Sequence, residues 1–120
     1  MYYDEEEIRR KAERVQQLID KAINSNNLEA TIRYLDEALD LAEADGVNSV
    51  ASMIWGMKGC VFMDAGSPSL AIRCLKNGLM ADPSNEKNYE ILGKLYIEID
   101  EPEMGMRYID QGRRLSYRRF

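Results

Sequence analysis

Gly59, Pro68, Arg73 and Gly78 recur as Gly93, Pro102, Arg107 and Gly112, every pair 34 residues apart. A fixed period of this size is the mark of one supersecondary unit written more than once. A unit that short cannot bury its own apolar face, so its copies must stack, and function is expected on the surface the stack presents rather than in a catalytic pocket. A chain of 120 residues has room for a single domain, 1–120, of such units and none for a separate catalytic domain.

Local signals divide the chain into helices. Asp4 reads as an N-cap, Glu5, Glu6 and Glu7 suit a first turn, and Ile8, Val15, Leu18, Ile19, Ala22 and Ile23 follow at helical spacing. Asn24 to Asn27 breaks that helix, and a second runs from Leu28 to Ala44 with Asp45-Gly46 as its stop. A third is predicted from Val50 to Met63, ending near Ala65-Gly66. Ser67-Pro68 then supplies the N-cap and first residue of a fourth that reaches Ala81. Asp82-Pro83-Ser84-Asn85 is a turn cluster, a fifth helix covers Glu86 to Ile99, and Asp100-Glu101-Pro102 opens a sixth. Six helices in three hairpins with no strand pattern make the fold class all-α.

Composition removes several kinds of chemistry. The chain has no histidine, which takes away the commonest general base, the Ser-His and Cys-His nucleophile pairs and most zinc and haem ligand sets. Its two cysteines, Cys60 and Cys74, cannot make a four-ligand zinc site alone and lack a base, so both are read as small buried hydrophobes. No phosphate-cradling glycine loop is present, because the glycines fall on helix faces and stops. The run Glu98, Asp100, Glu101, Glu103 lacks the alternating ligands and the glycine of a calcium loop. The reading is a protein without catalysis, cofactor or metal. No apolar run long enough to span a membrane and no leader pattern stand out, so the expected location is the cytosol, where both thiols stay reduced.

Net charge is −5, from 16 basic and 21 acidic residues, which disfavours nucleic acid and anionic lipid. The charge is not evenly spread: residues 1–45 carry 6 basic and 12 acidic side chains, whereas 107–120 carry five arginines against Asp110 alone. Arg107, Arg113, Arg114, Arg118 and Arg119 come without an aromatic stacking platform or a base-reading motif, and are read as charge complementing a helix C-terminus.

The third and fourth helices read Trp55-x2-Lys58-Gly59-x2-Phe62, Ala71-x3-Leu75-x2-Gly78 and Pro83; the fifth and sixth read Tyr89-x2-Leu92-Gly93-x2-Tyr96 and Gly105-x3-Ile109-x2-Gly112. This resembles the tetratricopeptide repeat (TPR). A weaker first copy, Val15-x2-Leu18-Ile19-x2-Ala22 and Thr31-x3-Leu35-x2-Ala38, lies at an offset of 40 residues from the next in its second helix. The repeats would be 12–51, 52–85 and 86–119, and the resemblance implies a right-handed α/α superhelical solenoid of three antiparallel helix hairpins. Lys58 departs from the family's leucine, its stem apolar and its charge outward. Tyr117 departs from the closing proline.

The resemblance also implies a concave groove lined by the first helix of each hairpin, which receives a peptide or helical segment of a partner protein. Carried over by alignment, it would be lined by Glu13, Gln16, Gln17, Asp20 and Ile23, then Met53, Gly56, Met57, Cys60 and Met63, then Lys87, Glu90, Ile91, Lys94 and Ile97. Met53, Met57, Cys60 and Met63 are the informative stripe. Trp55, Gly59 and Phe62 already supply the core-facing side of that helix, so a second apolar side implies a second thing to bury, and methionine suits adaptable apolar contacts. The competing reading is a sandwiched helix buried widely, with the stripe as core. TPR co-chaperones hold acidic C-terminal tails with a clamp of Lys, Asn, Asn, Lys and Arg. Those places hold Gln16, Asp20, Met57, Lys87 and Ile91 here, so only Lys87 survives and that ligand is not expected. Two alternatives stand beside the groove. A terminal sixth helix without a covering cap would leave Met104, Tyr108, Leu115, Tyr117 and Phe120 for self-association, as in a homodimer; a small acidic TPR chaperone of the secretion-chaperone type has similar size and charge.

Overall fold

Short-range capping marks several helix boundaries in the computed structural model, which describes residues 4–118. The helices are α1 (Glu5–Ile23), α2 (Leu28–Ala44), α3 (Asn48–Asp64), α4 (Pro68–Ala81), α5 (Glu86–Glu98) and α6 (Pro102–Tyr117), with no strand among the described residues. The side chain of Asp4 accepts from the Glu6 backbone N–H at 3.0 Å. Asn27 accepts from Ala30 at 3.1 Å and Asn85 from Asn88 at 3.1 Å, each satisfying an amide that the first turn leaves orphaned. α3 begins two residues before the Val50 predicted from sequence and α5 stops one short of Ile99. Pro68 and Pro102 stand in the first turns of α4 and α6, where a missing N–H costs nothing.

The period extends to how helices end. Gly66, after α3, has φ 78, and the residue 34 positions on, Asp100, has φ 67. Both close the same double hydrogen bond. Ser67 N donates to Phe62 O and Gly66 N to Met63 O, as Glu101 N does to Tyr96 O and Asp100 N to Ile97 O. Gly46, at φ 69, does the same for α2.

The helices fall into two compact units that divide between Val47 and Asn48. In the first unit α1 pairs with α2, burying Leu18, Ile19 and Ala22 with Leu35, Ala38, Leu39 and Ala42. Lys11 Nζ donates to Asp45 Oδ1 at 3.0 Å, joining the start of α1 to the end of α2. The second unit holds both copies of the 34-residue echo: α3 packs on α4 and α5, α4 on α5, and α5 on α6. Its centre is Ala71, Leu75, Leu92 and Leu95, ringed by Phe62, Met63, Ile72, Leu79, Ile91, Tyr96 and Tyr108. Burial of each leucine there is worth about 1.5–3 kcal/mol.

The helical glycines mark where this second unit closes most tightly. A Cβ on Gly59 would lie 2.8 Å from Leu75 Cγ; one on Gly93 would lie 2.6 Å from Ile109 Cγ1 and 2.7 Å from the Gly105 carbonyl oxygen. Neither position tolerates a methyl group without movement, so the roughly 1 kcal/mol that glycine costs a helix is offset by close packing.

Candidate functional site

The Met-bearing helix α3 is engaged on one side and open on the other. Ala51, Ile54 and Gly59 are buried, whereas Met57, Cys60 and Met63 are half-buried and Met53 is 45% exposed. Met63, together with Ile91 on α5, packs against the leucine core of the unit, so part of each side chain is already spent on folding. Lys58 lays its ammonium 4.6 Å from the centre of the Trp55 ring, a cation–π contact that accounts for a charged residue where the family pattern has leucine.

Gly56 does not line a surface. It is buried, and the space its Cβ would fill is taken by the Asn88 side-chain amide. Asn88 is 2% exposed, and its Nδ2 donates to Ser52 O at 3.0 Å and Ser52 Oγ at 3.1 Å. Ser52 Oγ donates in turn to Gly78 O at 2.6 Å and accepts from Asn85 Nδ2 at 3.0 Å. This buried polar knot ties α3, the end of α4 and the start of α5 together. It removes Gly56 from the groove expected by alignment, because a backbone that meets an amide inside the unit cannot face a partner.

On α5, Lys87 and Lys94 bracket Glu90. Lys94 Nζ donates to Glu90 Oε1 at 2.9 Å, and Lys87 Nζ lies 3.6 Å from Glu90 Oε2. The Lys94 hydrogen bond first, then the charge of Lys87, hold the Glu90 carboxyl below the ordinary carboxylate range. These are solvent-exposed pairs, each worth about 0–1 kcal/mol, which an incoming carboxylate can replace cheaply. Lys87 also acts on α3. Burial, and then Asp64, push the Cys60 thiol up, while the charge of Lys87 draws it partly back. An open polar cleft of about 480 Å³ adjoins this end, lined by Ser49, Asp82, Ser84, Asn85, Glu86, Lys87 and Glu90.

The remaining candidates fall elsewhere. Gln16, Gln17 and Asp20 are exposed on α1 in the first unit, where Gln16 Nε2 donates to Asp20 Oδ1 at 3.0 Å. On α6, Tyr108 is half-buried and its ring stacks on Tyr96 at 5.5 Å, and Leu115 is half-buried as well. The exposed apolar side chains of that helix are Met104, Met106 and Tyr117. Phe120 and Arg119 lie outside the described residues. The polar knot was missed because Ser52 and Asn88 do not repeat: 34 residues before Asn88 stands the buried Ile54. A clue was present in Gly56, a helical glycine with no counterpart 34 residues on.

Among the described residues no helix is long and apolar enough to cross a membrane. No family model matches the sequence, and no curated protein does. Among solved structures, that of MamA, a TPR-like protein, superposes with a TM-score of 0.66 at 18% sequence identity. The match covers 78% of this chain and 52% of that one, so this chain spans about half the length of the structure it resembles. Identity that low speaks to the fold alone, and the fold is all-helical and TPR-like.

Proposed function

We propose that this chain is a non-catalytic protein-interaction module whose second unit takes an apolar segment of a partner protein along α3 and α5. The observation that carries the reading is the double use of α3: with Ile54 and Gly59 buried in the unit, Met53, Met57 and Cys60 still present apolar surface. Methionine adapts its three rotatable bonds to side chains of different shape, and the exchangeable Lys87–Glu90–Lys94 group offers two cations to carboxylates flanking the apolar anchors. A TPR-like scaffold presents helix surfaces of this kind to extended or helical partners. A cytosolic setting suits cysteines that stay as thiols.

The test is a pull-down with the wild-type chain and with Met53→Glu/Met57→Glu as paired baits, helical content being checked by circular dichroism. Partners captured by the wild type and lost from the folded variant support the site. Equal capture by both places binding elsewhere.

A further inference from the structure

α6 presents an outward face that the rest of its unit leaves uncovered. Gly105 and Gly112 are buried and Ile109 is half-buried, while Arg107, Arg114 and Arg118 are exposed at positions i, i+7 and i+11, one line along the helix. Among the described residues none of these three has a carboxylate within ion-pair distance; Arg113, beside them, lies 4.0 Å from Asp110. Exposed Met104, Met106 and Tyr117 flank the line with apolar surface.

The chain carries the complement of this face. α2 has five carboxylates, Glu29, Asp36, Glu37, Asp40 and Glu43, against the single base Arg33. Glu29, Asp36 and Asp40 again fall at i, i+7 and i+11, so the acidic line on α2 and the basic line on α6 share one spacing over about 16 Å of helix. Glu29, Glu37, Asp40 and Glu43 are exposed and Asp36, the middle member of the line, is half-buried; Leu28 at its start is exposed.

We propose that the outward face of α6 docks on the α2 face of a second copy of this chain. Two helices running in the same direction bring Arg107, Arg114 and Arg118 opposite Glu29, Asp36 and Asp40 in register, with Met104 and Tyr117 as apolar contacts at the edges. The two surfaces are different, so the contact is heterologous, and it closes into a ring or continues along a line of copies according to the rotation between them. Exposed ion pairs are individually weak, so association is concentration-dependent and sensitive to salt. This surface is separate from the α3 stripe, and either can fail without the other.

Sedimentation velocity on the whole chain tests it. At about 0.01 M salt, where the Debye length is about 30 Å, the average mass is expected to rise with concentration above that of a monomer, and at about 1 M, where it is about 3 Å, to return to a monomer. Arg107→Glu/Arg114→Glu and Glu29→Lys/Asp40→Lys change exposed positions, and each variant alone is expected to stay monomeric. An equimolar mixture of the two regains association, because each supplies the face complementary to the other. A wild type that is monomeric at low salt and high concentration overturns the proposal. So does a single variant that still assembles, a mixture that does not, or a salt-dependent change of shape at constant monomer mass.

Discussion

At Gly93 the cost of one methyl group can be read directly. A Cβ there meets the Gly105 carbonyl oxygen at 2.7 Å and Ile109 Cγ1 at 2.6 Å, so relief requires α5 and α6 to separate, not merely a side chain to turn. Gly93→Ala gains up to about 1 kcal/mol in helix propensity and loses more to overpacking, which typically costs about 1–3 kcal/mol and more where backbone must shift. The net expectation is destabilisation by about 1–2 kcal/mol in urea unfolding; a neutral or stabilised variant would mean that the two helices are not in contact at this point. Asp100 makes the opposite point at the same scale. It occupies the left-handed position that Gly66 fills one period earlier, and the geometry survives because aspartate tolerates that region better than most residues. A period in sequence is thus a period in backbone conformation, even where the residue changes.

Helices α3, α4 and α5 are joined by a device that the repeat does not contain. Asn88 stands where the previous copy has Ile54, and an amide in that place is tolerated only because Ser52 and its carbonyl accept from it while Gly56 leaves room for it. Asn88→Ala would strand Ser52 O without its side-chain donor and open a void against Gly56. The expected loss is about 1–3 kcal/mol, seen as a lower urea midpoint with the slope unchanged. Should the variant unfold at the wild-type midpoint, the knot adds nothing to stability. Caps, stops and the glycine contacts of Gly59 and Gly93 were legible in sequence because each rests on neighbours a few residues apart or on a strict period. The Ser52–Asn85–Asn88 knot was not, since its members break the period and meet only when three helices converge. The groove lining followed the same divide: Met53, Met57 and Cys60 present surface, Met63 and Ile91 share theirs with the core, and Gly56 has none to offer.

For the molecule as a whole, the two units differ in how many neighbours each helix has within its own unit. α1 has α2 alone, whereas α4 is held by α3 and α5, and an isolated helical pair draws little stability from propensity. Native-state hydrogen exchange should therefore show the slowest amides around Leu75 and Leu92, with α1 opening at lower free energy. Equal protection of the amides of Leu18 and Leu75 would refute this ordering. The charge asymmetry also belongs to this scale, because acidic α2 and basic α6 belong to different units of the chain. What the sequence alone determined was the inventory of six helices, their ends and the spacing of the tight contacts, for these follow from local conformational preference repeated at a fixed interval. Tertiary structure decided which polar groups pair in the interior and which apolar side chains stay outside. Both depend on groups from separate helices meeting within about 3–4 Å, a condition that no spacing along one helix contains.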